Sequence, residues 1–201
     1  MKKKILVRGP ALSRSGYGEH VRMVLRSLKT REDLLDIYLM NTGWGRTGWN
    51  WEDNEERRWI DSLLFKTIEY TEKQNTGFDI SIQVTIPNEF ERMAPINIGV
   101  TAGIETTKVS PHWIEKSQIV DKIIVVSNHS KQIYENTVYE ATNKETGEVV
   151  KDFRCNTPIS VVHYPVRDHE PIEIDLDLEY DFNFLTVAQI SPRKNMENTI
   201  I

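Results

Sequence analysis

The sequence predicts an α/β fold in which a doubly wound, mainly parallel sheet is covered by helices on both faces. Three observations carry that expectation. Short apolar runs, KILV, LDIYLM, FDISIQVTI, INIGVTA, KIIVVS and ISVVHY, have the length and β-branched content of buried strands. Segments with apolar residues at helical spacing separate most of them, and crossover helices of that kind return the chain to the same edge, which makes neighbouring strands parallel. The composition, 39% hydrophobic and 27% charged over 201 residues, is that of a folded domain.

The elements follow in order. Ile5 to Val7 lie behind three lysines, but this apolar run is far shorter than the roughly 7–15 residues of a signal-peptide core, so it reads as the first strand of a cytoplasmic protein. Val21, Val24, Leu25 and Leu28, at i, i+3, i+4 and i+7, form the apolar face of the first helix. The second strand ends at Met40 and Asn41, and RWIDSLLFKTIEY then sets Ile60, Leu63, Leu64 and Ile68 on one helical face. HWIEKSQIV and SKQIYENTVY read as shorter helices. Alternation around Glu145, Thr146 and Gly147 predicts a surface hairpin before the strand at Ile159 to Tyr164.

Beyond that strand, VRDHEPIEIDLDLEYD is rich in acids and contains Pro171, which reads as a linker from about residue 167. The expected organisation is one domain over residues 1–178 and the start of a second over 179–201, cut short. In the second, Phe184 to Val187 read as a strand, Pro192 to Asn195 as a turn and Met196 onward as a helix. No internal repeat or low-complexity tract interrupts this pattern.

The net charge of −5 argues against a nucleic-acid surface or a polybasic membrane patch, and no integral membrane segment is expected. Cys155, the single cysteine, can form neither an internal disulfide nor a cysteine zinc cluster, and reads as a reduced, inert side chain.

Chemistry is expected in the loops that follow the strands. In VRGPALSRSGYGEHVRMVL, the first strand feeds a loop with Gly9, Gly16 and Gly18 and then a helix. Glycines permit close approach of a ligand, and free N–H groups at a helix start favour a phosphate or a sugar oxygen. A dinucleotide fingerprint is poorly matched, because Val21 stands where the third glycine belongs and no acid closes the second strand. In NTGWGRTGWNWEDNEERRW, Trp44, Trp49 and Trp51 either stack on sugar rings or pin a long loop to the domain.

The stretch NIGVTAGIETTKVSPHWIEKSQIVDKIIVVSNHSKQIYEN carries the most specific pattern: Ile98-Gly99, Glu105-Thr106, Pro111, Trp113, Asp121, Ser127-Asn128 and Lys131. This pattern resembles the acceptor-side domain of the family 4 retaining glycosyltransferases. Those enzymes have the GT-B architecture of two Rossmann-like domains facing a cleft. Their second domain commonly opens on a strand reading approximately Val-Gly-Arg, then Pro and Lys-Gly. Here Val187-Ala188-Gln189, Pro192 and Lys194-Asn195 occupy those places, so Gln189 replaces the arginine and both glycines are changed.

The resemblance implies a nucleotide-sugar donor, a glycan or other hydroxyl acceptor, and no cofactor or metal. It implies donor phosphate or sugar contacts from Gly16, Tyr17, Gly18, Gln189 and Lys194, and acceptor contacts from His20, Trp44, Trp49, Glu105 and Thr106. Glu105 and Lys194 carry the catalytic expectation, Glu105 through hydroxyl binding and Lys194 through the leaving diphosphate. His112 reads as an exposed helix-start residue. A nucleotide-cofactor oxidoreductase and a non-catalytic carbohydrate-binding domain are the alternatives.

Overall fold

A computed structural model describes residues 2–73, 77–142, 146–166, 168–188 and 190–200, including their side chains except those of Arg193 and Ile200. The chain divides into two compact units, Met1–Pro165 and Val166–Ile201.

In the first unit the order is β1 (Lys3–Gly9), α1 (Gly16–Lys29), β2 (Leu35–Asn41), α2 (Glu55–Lys73), β3 (Ile80–Val84), β4 (Ile96–Thr101), α3 (Pro111–Ser117), β5 (Lys122–Val125), α4 (Asn128–Asn136), β6 (Tyr139–Thr142), β7 (Val149–Phe153) and β8 (Ile159–Val161). Six strands form one sheet in the order β2-β1-β3-β4-β5-β8, and every neighbouring pair is parallel. The fold is the Rossmann-like, doubly wound α/β layer that the sequence predicts. Its direction of winding reverses between β1 and β3, and ligands in open sheets of this kind bind beyond the carboxyl ends of the strands at such a switch point.

The two sheet faces carry separate cores. Ile5, Val7, Ile37, Leu39, Val84 and Val100 pack with Val21 and Leu25 of α1 and Ile60 and Leu63 of α2. On the other face Phe90, Ile123 and Val125 pack with Ile114 of α3 and Tyr134 of α4. Gly9 lets α1 approach the sheet, since a Cβ there would lie 2.7 Å from both Val21 Cγ2 and the Val84 carbonyl oxygen.

Helix α2 departs from its predicted face. Ile60 and Leu63 are buried and Leu64 partly so, but Ile68 is 52% exposed and Thr67 and Tyr70 are buried instead. The cause is the place of β2 at the sheet edge. Leu39 N–H donates to Thr67 Oγ1 at 2.8 Å, and Lys66 Nζ donates to the Ile37 carbonyl at 2.9 Å. Helix α2 thus satisfies main-chain groups that an open edge would leave exposed, which calls for a threonine and a lysine where periodicity expected an aliphatic stripe.

Strands β6 and β7 form the expected antiparallel hairpin, with Gly147 at φ +73°; Glu145 of the anticipated turn lies outside the described residues. Strand β8 is shorter than expected, three residues.

In the second unit no strand forms among the described residues, and Phe184, Leu185 and Val187 are exposed. A strand needs a hydrogen-bonding neighbour, and this unit's described residues offer none. The expected turn and helix are present as a single 3₁₀ turn at Pro192–Lys194, with Asn195 in the left-handed region at φ 48°, and α5 (Met196–Ile200).

Candidate functional site

The start of α1 and the loops beyond the carboxyl ends of β2 and β4 hold the predicted site residues of the first unit. The β1–α1 loop is fixed from inside by Arg22, a buried guanidinium whose Nη1 donates to the carbonyls of Ala11 (2.6 Å) and Ser13 (3.1 Å). Leu12 N–H donates to Asn41 Oδ1 at 3.0 Å, so the side chain that ends β2 is used to hold this loop. Ser15 caps α1 by accepting from the Gly18 N–H at 3.0 Å.

The two glycines at the helix start therefore differ. A Cβ on Gly18 would sit 2.0 Å from the Ser13 carbonyl oxygen, whereas Gly16 is exposed with open space around it. Gly18→Ala is expected to destabilise the domain by about 1–3 kcal/mol, as overpacking does, despite the better helix propensity of alanine. Gly16→Ala is expected to leave stability nearly unchanged, and urea unfolding of the two variants checks the contrast.

Tyr17, His20 and Trp44 come together. The Tyr17 hydroxyl is 3.0 Å from Thr101 Oγ1 and accepts from the Ala102 N–H at 3.2 Å, tying α1 to the end of β4. Trp44 lies against its ring at a centroid distance of 4.3 Å. His20, 7% exposed, meets the Tyr164 ring edge-on at 4.9 Å, and its Nδ1 is 3.5 Å from the Tyr164 hydroxyl. Burial lowers the His20 pKa to about 4, so the imidazole is neutral at physiological pH. Burial likewise raises that of Tyr17.

The tryptophan loop is held mainly by polar groups. Arg14 N–H donates to the Gly48 carbonyl at 2.7 Å, Asn50 N–H to the Leu12 carbonyl at 2.8 Å, and Ser13 and Thr47 share a hydroxyl bond of 2.6 Å. Trp49 forms a bridge with Ser13 through the main chain but is 41% exposed, and Trp51 is 79% exposed. Of the three indoles, Trp44 is the one that packs against the domain at Tyr17; Trp49 and Trp51 face solvent from an anchored loop.

Directly after Ala102 the chain forms an open cleft of ≈ 440 Å³ lined by Gly103 to Thr106, Lys108 to Ser110 and Trp113. Glu105 and Thr106 are exposed on its wall. Thr106 Oγ1 donates to the Lys108 carbonyl at 2.7 Å, which closes the loop on itself. Trp113 is half-buried on the core of the second sheet face and still reaches the cleft. Glu105, Thr106, Lys108 and Trp113 thus line one concavity, with the Lys108 ammonium over the Tyr139 ring at 5.5 Å.

Trp113, Lys108 and Ser110 were not among the predicted contacts. Near the switch point, Thr42 Oγ1 and Asn88 Oδ1 are buried without a hydrogen-bond partner among the described residues, and Glu89 accepts from Thr85 Oγ1. No sequence signal marked them, because which strand ends flank the switch point depends on strand order. The switch-point rule selects residues 85–89 only once that order is known.

Other residues of the resemblance have structural work. The Asp121 carboxylate accepts from the Asn97 N–H at 2.7 Å before β5, at the amino end of the sheet, and that bond is the main cause lowering its pKa. Ser127 caps α4 by accepting from the Ser130 N–H, and Lys131 pairs with Glu135 at 3.7 Å. His112 is exposed at the start of α3, 3.1 Å from Glu115. Burial pushes the Cys155 thiol up, away from the reactive thiolate.

Lys194 and Asn195 belong to the second unit, and Gln189 lies outside the described residues. The left-handed backbone at Asn195 is one that asparagine tolerates better than most non-glycine residues. Among the described residues no three His, Cys, Asp or Glu side chains are grouped to hold a metal ion, and no helix is long and apolar enough to cross a membrane. No protein-family model, curated protein or solved structure compared with this chain matches it.

Proposed function

We propose that residues 1–165 form the acceptor side of a retaining glycosyltransferase and that residues 183–201 belong to its donor side. The observation that carries this reading is the cleft beyond β4, which Glu105, Thr106 and Trp113 line together. A pyranose presents an apolar face and a rim of hydroxyls, and an indole beside a carboxylate and a hydroxyl is complementary to both.

In this reading Trp113 stacks on the acceptor and Glu105 accepts a hydrogen bond from one of its hydroxyls. Transfer breaks the bond between the anomeric carbon and the donor diphosphate, and the acceptor oxygen forms the new bond on the face from which the diphosphate leaves. The acceptor proton passes to the departing phosphate oxygen, so no protein nucleophile is needed. Lys194 stabilises the charge that grows on that phosphate. The oxidoreductase alternative is weaker, since the residue that would bind a ribose hydroxyl is Asn41, and its side-chain oxygen is engaged by Leu12.

Kinetics with donor and acceptor varied separately test the assignment. Glu105→Gln removes a charged acceptor worth roughly 1.5–3 kcal/mol, so the acceptor KM is expected to rise about 10–100-fold with the donor KM nearly unchanged. Trp113→Ala is expected to act in the same direction. A loss confined to donor affinity in both variants contradicts the reading.

A further inference from the structure

The sheet reverses its winding between β1 and β3, and the residues gathered at that switch are not those of a phosphate site. Beyond β3 the chain makes a 3₁₀ turn at Pro87–Glu89. Glu89 is half-buried there, and its Oε2 accepts from Thr85 Oγ1. Its carbonyl accepts from Arg8 Nη1 at 2.8 Å, which ties the turn to the end of β1. No hydrogen bond among the described residues engages Glu89 Oε1. Asn88 Oδ1, in the same turn, is buried and likewise has no hydrogen-bond partner among them.

Sheet register brings this carboxylate towards Tyr17. Val84 pairs with Val100, so the residues that follow, Thr85 and Thr101, leave neighbouring strands side by side, about 4.8 Å apart. Both threonines are fully buried. Thr85 holds Glu89, while Thr101 Oγ1 lies 3.0 Å from the Tyr17 hydroxyl. Burial raises the pKa of Tyr17, and the Glu89 charge adds to that rise. The Tyr17 hydroxyl also accepts from the Ala102 N–H, and the cleft lined by Glu105 and Trp113 begins at the next residue, Gly103.

The charges around this point are matched to a neutral ligand. Arg8 and Arg22 are both engaged, Arg8 by the Glu89 carbonyl and by Glu91 at 3.5 Å, Arg22 by the carbonyls of Ala11 and Ser13 and by Glu19 at 3.0 Å. At the start of α1 the Gly18 N–H is taken by Ser15. A diphosphate set against Glu89 would meet like charge in a partly desolvated place and find acceptors where it needs donors. A sugar carries no charge and its hydroxyls donate, so it can satisfy Glu89 Oε1 and Asn88 Oδ1. We propose that the β1–β3 switch point is a hydroxyl-binding subsite for a neutral sugar, with Glu89 as a second substrate-binding carboxylate beside Glu105. The subsite extends the cleft of the transferase reading, on which it rests, and assigns Tyr17 to sugar and not to phosphate.

The test follows the amide chemical shifts of the isotope-labelled chain as methyl α-glucoside, methyl α-galactoside, methyl α-mannoside or inorganic pyrophosphate is added to about 0.1 M, a range that covers millimolar subsites. At least one glycoside is expected to move amides of 85–89 together with 101–103, and pyrophosphate to move none of them. Glu89→Gln keeps the shape and removes the charge; it is expected to weaken that glycoside about tenfold or more, with the rest of the spectrum unchanged. Glu89→Asp is expected to retain part of the affinity. The proposal is overturned if no glycoside moves 85–89, if pyrophosphate does, or if Glu89→Gln binds as tightly as the parent. Glycoside shifts confined to 103–113 overturn the subsite and support the cleft reading alone. Shifts at 85–89 that Glu89→Gln abolishes, in a protein that transfers no sugar, sustain the subsite and count against the transferase.

Discussion

On the proposed transferase reading, replacing Lys194 with alanine is expected to lower the kcat of sugar transfer by about 10²–10³-fold, the effect of removing one preorganised electrostatic stabiliser. Lys194 ends the 3₁₀ turn, its N–H donating to the Ser191 carbonyl at 3.0 Å, and is followed by the left-handed Asn195. This turn fixes the backbone beneath the lysine without using its ammonium. The diphosphate is already charged in the bound donor, so donor KM also rises. The charge grows as the glycosidic bond breaks, however, and the larger loss falls on kcat. Steady-state kinetics with saturating acceptor measure this, and a kcat within twofold of the parent enzyme removes Lys194 from the mechanism.

The second large effect is a pH dependence of stability set by His20. Its pKa is about 4 in the folded protein because it is buried, against about 6.5 for an unperturbed imidazole. The unfolded chain therefore binds the extra proton more readily. Stability from the neutral imidazole is fully present above pH 6.5 and is lost as pH falls towards 4, about 3 kcal/mol in all and at most ~1.4 kcal/mol per pH unit. His20→Gln retains polar character without the titration. The difference between parent and variant unfolding free energies, measured in urea from pH 4.5 to 7.5, is expected to follow this slope; parallel profiles contradict it. Restricting the range to above pH 4.5 limits the contribution from protonation of ion-paired carboxylates such as Glu19.

The fold was legible because its two periods are written plainly: aliphatic runs for strands, and Val21, Leu25, Ile60 and Leu63 at helical spacing. Positions governed by sheet order were not. Thr67 and Lys66 look like ordinary helix-surface residues until β2 is known to be an edge strand whose main chain they satisfy. Arg22 looks solvent-facing in the sequence, yet it is buried against the loop carbonyls of Ala11 and Ser13. Phe184 to Val187 have strand composition but no neighbour to pair with among the described residues of their unit.

The site divides in the same way. Tyr17, His20 and Trp44 were each recognisable from their place in loops after strands or at a helix start, and they do converge. Glu105 and Thr106 share one cleft. The participation of Trp113 and Lys108 was hidden because it depends on how the 103–113 loop curls back on itself.

Transferase identity is tested most directly by the stereochemistry of the product. The protein would be supplied with nucleotide diphosphate sugars and hydroxyl acceptors, and any new glycosidic linkage read by proton NMR before mutarotation. A linkage with the anomeric configuration of the donor is predicted. An inverted linkage, or reduction of a nicotinamide cofactor in place of sugar transfer, would contradict the assignment.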